Sequence, residues 1–343
     1  MSFSHLIKSS TVTAVEAIDR MGDDGHDMLV VASKLALRYD LAGKLRLTAR
    51  PLRFANTRDE AGGLRFPHDF PLDRPGTDIF LLGTCFPGRT PATTRLVTFS
   101  VGPMKKSIRV HGPRVFMKAA RGVRPGPAAS IVATPLRFDY VFGGRDGDEY
   151  DSRNPIGTGF SKTTDALVGK EAYRLEPADL NTFDLTHGCF APIDPGWEPR
   201  VSFVGTYDDH WRENRAPIAP RDRNPLFHSD ALPEQRSPGP LRTPFVVEMS
   251  GLAGEDVVRL PIPEYRVAVT TEVHREDPTT AEARLVRVLV DADARVVELL
   301  YVAWRRLPRK WETLTAIRVT TPNSLPDEIK FHEGPTNLQE GGA

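Results

Sequence analysis

Met28-Leu-Val-Val-Ala-Ser-Lys-Leu-Ala-Leu-Arg-Tyr39 is followed by Asp40-Leu41-Ala42-Gly43 and then by Lys44-Leu-Arg-Leu-Thr-Ala-Arg50. This succession reads as two strands joined by a hairpin turn. In the second run Leu45 and Leu47 alternate with Arg46 and Thr48, the period of two expected of a half-buried strand. The same style extends outward through Thr77–Phe86, Arg95–Ser100 and Ser107–His111. Towards the C-terminus Val257–Val273, Ala283–Val290 and Arg295–Trp304 are rich in β-branched residues, and Asp291-Ala-Asp-Ala294 turns the last two into an antiparallel pair. Thirty prolines and 27 glycines punctuate the 343 residues, which favours short strands and loops over long helices. Helical signals are few. Val12, Val15 and Ile18 behind a Ser/Thr start predict a short helix over Ser10–Met21, and Ala178–Asn181 reads as one more turn.

These elements predict a mainly β, antiparallel β-sandwich-like protein with long ordered loops and few short helices. The expected divisions are an N-terminal segment at 1–25, a β-rich core at 26–240, a strand region at 241–320 packing on that core, and a tail at 321–343 whose last residues are frayed. Residues 112–245 are loop-rich, with Pro-Gly clusters at 125–127, 192–199 and 238–240, yet they carry many aromatics. A disordered linker would be poor in such residues, so these loops are expected to be pinned to the core.

Lysine plus arginine and aspartate plus glutamate balance at 45 each. A protein that neutralises many phosphates would carry a basic excess, so nucleic acid is an unexpected partner. The first residues lack the pattern of a secretory signal, and no run approaches a membrane span of ~18 apolar residues. A cytoplasmic protein is expected. Cys85 and Cys189 are the only cysteines, too few for a disulfide framework or a Cys-rich zinc site.

Catalytic motifs are missing. Phe142-Gly143-Gly144 is followed by Asp146, Asp148, Glu149 and Asp151, which would repel a phosphate and lack the spacing of a calcium loop. His187 and Cys189, with Asp208 and His210 some twenty residues on, invite a metal or Cys–His story, but Cys189 before Ala191-Pro192 reads as a buried small residue. No catalytic, cofactor-binding or metal-binding residue is assigned. Lys105, Lys106, Arg109, Arg114, Lys118, Arg121 and Arg124 form a stretch without an acid, read either as a patch for an acidic partner or as solvated strand edges. Trp197, Tyr207 and Trp211, interleaved with Arg200 and Arg212, could pin a loop or form an interface hot spot; Trp197 and Tyr207 are expected in the core and Trp211 fits either role.

Five ordered blocks carry a resemblance. They are Arg74-Pro-Gly-Thr-Asp78; Tyr140-Val-Phe-Gly-Gly144 with Tyr150-Asp-Ser-Arg-Asn-Pro-Ile-Gly157; Pro192 through Trp197-Glu-Pro-Arg200; Gly205-Thr-Tyr-Asp208 with Trp211; and the closing strand with Trp304-Arg305. From about residue 26 to 308 the chain resembles the family known as domain of unknown function 2169. It departs from that pattern at Gly188-Cys-Phe-Ala-Pro192 and Arg221-Asp-Arg-Asn-Pro225 and lacks an expected Leu-Pro-Asn before residue 180. The resemblance implies a non-catalytic adaptor or chaperone of bacterial type VI secretion. Such a protein binds a secreted effector, often tied to a PAAR-type tip protein, and helps load it onto the VgrG spike. The matching positions Asp78, Phe142, Gly143, Gly144, Arg153, Asn154, Pro155, Gly157, Trp197, Arg200, Gly205, Thr206, Tyr207, Asp208 and Trp211 are then the expected family-motif and partner-binding residues. Two rivals stand beside it: a hydrolase built on Asp208 with His210 or His187, and a structural component of the secretion apparatus.

Overall fold

The structure, a computed structural model, describes residues 2–9, 13–253, 257–307, 313–322, 325 and 329. The final stretch of the expected tail, Gln-Glu-Gly-Gly-Ala at 339–343, lies outside them. A six-stranded sheet forms the centre, ordered Ala14–Met21, Asp27–Tyr39, Val296–Arg306, Arg284–Asp291 and Asp78–Leu82, with Leu45–Leu47 also pairing on Asp27–Tyr39. Its pairs are antiparallel except the last, where Asp78–Leu82 runs parallel to Arg284–Asp291. A five-stranded antiparallel sheet is ordered Leu175–Pro177, Met104–His111, Thr94–Val101, Phe245–Ser250 and Val257–Ile262. A third sheet of four strands joins Ile7–Ser9, Leu314–Thr320, Ala268–Val273 and Thr279–Glu282.

One apolar cluster takes side chains from all three sheets, including Leu35, Phe99, Val247 and Ile317, each fully buried. This is the sandwich-like packing that alternating strands demand, because each sheet must hide one apolar face. The long central strand hides both. Leu29, Val31, Leu35 and Leu37 face the shared cluster, while Val30 and Ala32 face a second cluster with Val286, Leu300 and Val302 beneath Leu52 and Phe70. The segment around residues 50–76 is therefore a lid over the back of the central sheet. The hairpin turn at Asp40–Gly43 forms as expected, with Gly43 N–H donating to Asp40 O (3.0 Å) and the Asp40 carboxylate accepting from Ala42 and Lys44.

The helix expected over Ser10–Met21 is overturned. Ser10–Val12 lie outside the described residues, and Ala14–Met21 is a strand paired with Asp27–Tyr39 from Ala14↔Lys34 to Met21↔Asp27. Its apolar residues serve both faces of the sheet, Val15 and Ala17 on one and Ala14 and Ile18 on the other. A spacing of three mimicked a helix face, and pairing with a long neighbour outweighed it. Among the described residues the single α-helix is Asp209–Asn214, accompanied by short 3₁₀ turns. Strands beyond residue 240 are built into the same sheets as those before it, since Phe245–Ser250 pairs with Thr94–Val101 and Val296–Arg306 with Asp27–Tyr39.

Candidate functional site

On the back of the central sheet, Lys34, Arg287 and Glu298 are charged residues at positions that would ordinarily face water. All three are buried. Lys34 meets Asp69 (2.5 Å) and Glu298 (3.7 Å), and Arg53 grips both oxygens of Glu298 at 2.7 Å. Arg287 bridges Asp69 (2.9 Å) to Asp230 (3.3 Å). Asp230 also receives Arg74 (3.3 Å) and Arg200 (2.9 Å), and Arg74 reaches Asp78 (3.0 Å). Asp78 in turn accepts from the Ser229 hydroxyl (2.7 Å) and the Asp230 amide (2.8 Å). Five cations and four carboxylates thus form one chain of ion pairs that fastens loops from 50–76 and 193–237 to the sheet. Buried ions of this kind are costly to separate, because removing one leaves its partner uncompensated. Asp78 and Arg200, expected as partner-binding residues, lie inside this chain.

The Asn154 block forms a second lock. Asn154 is fully buried, and its Nδ2 donates to Phe138 O and Phe142 O, both at 2.9 Å. Its own carbonyl accepts from the Gly144 and Gly157 amides (2.8 and 3.2 Å). Gly143 sits at φ +144°, and a Cβ there would lie 2.3 Å from Asn154 O, so only glycine lets the two strands of the loop touch. Pro155 is buried beside it, and Phe142 meets Tyr173 edge-on at 5.8 Å. Arg153 remains exposed, forked on Asp151 and reaching Asp184 at 3.1 Å. Trp197 belongs to the core, edge-on to Phe138 at 5.3 Å. That contact gives Trp197 the core role expected of it, whereas Tyr207, expected in the core as well, is exposed and packs on Trp211 at the surface.

The Gly205–Trp211 block lies at the surface. Asp208 caps the short helix by accepting from Trp211 N (2.8 Å), Thr206 bonds Asp222, and Tyr207 packs on Trp211 with ring centres 4.5 Å apart. Trp211 Nε1 donates to Ile218 O (2.8 Å), and Arg223 donates to the Tyr207 hydroxyl while pairing with Asp23 (3.0 Å). His210 touches Asn214 across one helical turn, and His187 pairs with Glu234 at 3.0 Å. Among the described residues no hydrogen bond joins Asp208, His210 and His187. Cys189 is fully buried, with its thiol donating to Leu136 O (3.3 Å), and burial pushes that thiol up to about 12. The basic stretch is divided: Lys106 is buried against Cys189 O, Glu234 and Gln235, and Arg114 is held by Tyr173 O and Glu176, whereas Lys105, Lys118, Arg121 and Arg124 are exposed.

Beside the ion-pair chain runs a groove of two adjoining chambers sharing Gly22, Asp23, Leu72 and His228. The polar chamber, about 390 Å³, is lined by Arg20, Asp23, His68, Arg200, Tyr207, Arg223, His228 and Asp230 among others. The second, about 580 Å³, has an apolar wall of Met28, Leu72, Pro75, Pro225 and Trp304, with Asp73 and Arg284 at its margin. Trp304 is held by its Nε1 donating to Pro71 O (2.9 Å) and by Arg284 stacked over the ring at 5.4 Å. His228 and Asp23 are bonded at 2.8 Å. Burial pushes the Asp23 carboxyl up, but the His228 hydrogen bond and the His228 and Arg223 charges outweigh it and hold it below its ordinary value. No serine, threonine or cysteine lines either chamber among the described residues. Arg20, Asp23, His68, Leu72 and His228 carried no motif in the sequence. Each comes from a separate turn or strand end, and only the fold collects them.

The site also sets an acid limit on stability. Burial, with Arg20 nearby, lowers His68 to about 4. Burial opposes ionisation of Asp230, but Arg200, Arg74 and Arg287 hold it down at about 2. Burial likewise opposes ionisation of Glu234, which Lys106 and His187 hold at about 2. Between each folded value and its ordinary one the unfolded chain carries more protons, so stability falls as pH falls. The loss is expected to begin through pH 6.5 with His68, on the order of 2 kcal/mol by pH 4, and to steepen from 4.5 towards 2 as Glu234 and Asp230 are lost. Urea unfolding at a series of pH values checks this, and His68→Gln should flatten the upper part of the curve. A flat profile between pH 7 and 5 in the parent chain would contradict the burial of a neutral His68.

Among the described residues no helix is long and apolar enough to cross a membrane, and no group of three or more His, Cys, Asp or Glu side chains is placed to hold a metal ion. No curated protein and no solved structure matches the chain. A family model described as an uncharacterized protein conserved in bacteria (DUF2169) matches residues 24–302, a span that includes the ion-pair chain, the Asn154 lock and the groove lining other than Arg20, Met21, Gly22, Asp23 and Trp304. The chain therefore belongs to the DUF2169 family.

Proposed function

We propose that the protein is a non-catalytic cytoplasmic adaptor or chaperone of type VI secretion. It binds a secreted effector linked to a PAAR-type tip protein and helps load it onto the VgrG spike, without a cofactor, nucleic acid or membrane. The observation that carries the reading is the division of labour around the groove. Asp78, Asn154, Trp197 and Arg200 are spent inside the protein, holding loops in place, while an apolar wall and a charged chamber open side by side among the loops 50–76 and 193–237 that the ion-pair chain fastens. Rigid loops presenting a preformed groove bind a partner without a large ordering cost.

The test is co-purification of the tagged chain from cells expressing the neighbouring secretion genes. The expected result is a stoichiometric effector or PAAR-containing protein in the eluate, together with a fall in effector level when the chain is deleted. Recovery of the chain alone, with effector level unchanged, would overturn the reading. A hydrolytic reading would now rest on the Asp23–His228 pair, the one oriented imidazole–carboxylate couple in the groove. Effector loading that survives Asp23→Asn separates the adaptor from that rival.

A further inference from the structure

The cations of the polar chamber are not equivalent. Arg200 is paired with Asp230 (2.9 Å), and Arg223 and His228 are paired with Asp23 (3.0 and 2.8 Å). Arg20, at the end of Ala14–Met21, has no carboxylate partner among the described residues. It donates to Phe70 O (2.6 Å) and lies 3.3 Å from Nε2 of His68, a neutral neighbour at ordinary pH. A guanidinium has five donors, so most of this one's hydrogen-bonding capacity remains unspent. Its surroundings are partly desolvated, and that burial lowers its pKa from the ordinary value. An unpaired, half-buried guanidinium in a chamber that also holds Arg200 and Arg223 is a receptor for a carboxylate.

The chamber next door fixes what else the ligand must carry. Met28, Leu72, Pro75, Pro225 and Trp304 offer apolar surface there, and Leu72 is also part of the polar chamber's lining. In an extended chain, side chains on one face repeat every two residues, roughly 7 Å, so neighbouring chambers suit neighbouring side chains of one segment.

We propose that the groove selects an extended segment of the partner by placing an aspartate or glutamate side chain against Arg20 and a large apolar side chain, within three positions of it, against Met28, Leu72 and Trp304. This rests on the adaptor reading for its biological partner, but the chemistry is testable without one. The two chambers share Gly22, Asp23, Leu72 and His228, so a segment that fills both continues past Arg20 rather than ending there, and its carboxylate belongs to a side chain.

The probe is a library of random heptapeptides displayed within a surface loop of a carrier protein, with no free C-terminus, panned over the full chain. The expected result is enrichment of Asp or Glu within three positions of Leu, Ile, Met, Phe or Trp. Arg20→Gln should abolish the acidic preference and Arg20→Lys should keep it. For a selected peptide, changing its acid to the amide should weaken binding roughly tenfold, the scale of one charge-assisted hydrogen bond. That second reading uses the parent chain and holds even if Arg20→Gln does not fold. Enrichment without acids, an acidic preference unchanged in Arg20→Gln, or selection only from a library with free C-termini would overturn the proposal. Peptide selection with no effector recovered from cells would contradict the adaptor role alone. Effector recovery undiminished by Arg20→Gln would contradict the pocket chemistry alone.

Discussion

Asp230→Asn is expected to lower the unfolding free energy by about 3–5 kcal/mol, enough to leave a domain of ordinary stability only marginally folded. Asp230 is the carboxylate on which Arg74, Arg200 and Arg287 converge, at 2.9–3.3 Å. Asparagine matches its shape and keeps one acceptor, so the change removes charge with little change in packing. Arg74 and Arg287 would keep Asp78 (3.0 Å) and Asp69 (2.9 Å), so the uncompensated charge falls mainly on Arg200, a buried guanidinium whose carboxylate partner among the described residues is Asp230. Urea unfolding measures the loss directly, and an unchanged denaturant dependence would show that the native state stays compact. The loop at 193–230 and the strand at 78–82 would both loosen, so binding of the proposed effector should fall with stability. A loss below about 1 kcal/mol would mean that the ion-pair chain is incidental to the fold.

Asn154→Asp is the second change expected to act strongly, again at about 3–5 kcal/mol. The Asn154 amide nitrogen donates to two carbonyls, Phe138 O and Phe142 O, in a site without solvent exposure. A carboxylate of the same shape would turn both donors into acceptors and bury a charge with no cation in contact. The side chain could escape only by taking up a proton, so the variant's deficit relative to the parent should shrink as pH falls towards 5. Differential unfolding at pH 7.5 and 5.5 reads that sign. A deficit independent of pH would indicate that the loop opens and solvates the new carboxylate.

Much of the architecture was legible because it rests on local patterns. The run from Met28 to Arg50 became a strand, a turn and a strand, and Asp291–Ala294 closed the pair expected of it, with Asp291 opposite Val296. What escaped was tertiary. The neighbour of Ala14–Met21 was itself legible six residues on, but the spacing of three at Val12, Val15 and Ile18 masked the hairpin that joins the two. Phe245–Ser250 sits next to a Pro-Gly cluster and gains its identity from Thr94–Val101. Lys34, Arg287 and Glu298 look like solvent-facing positions in their strands, and only the overlying loops turn them into an ion-pair chain. The site divided along the same line. Arg74, Asp78, Asn154 and Arg200 stood out in short motifs, whereas Asp69, Asp230, Arg20 and His228 have no local signature and meet only through long-range closure.

Hydrogen exchange of the chain alone and bound to its co-purified effector tests the central claim most directly. The account predicts that binding slows exchange in residues 20–28, 68–75 and 217–228, the walls of the two chambers. Unchanged exchange in those three segments, with protection confined to a sheet edge such as Val257–Ile262, would show that the partner is held elsewhere and that the groove is not the adaptor's binding site.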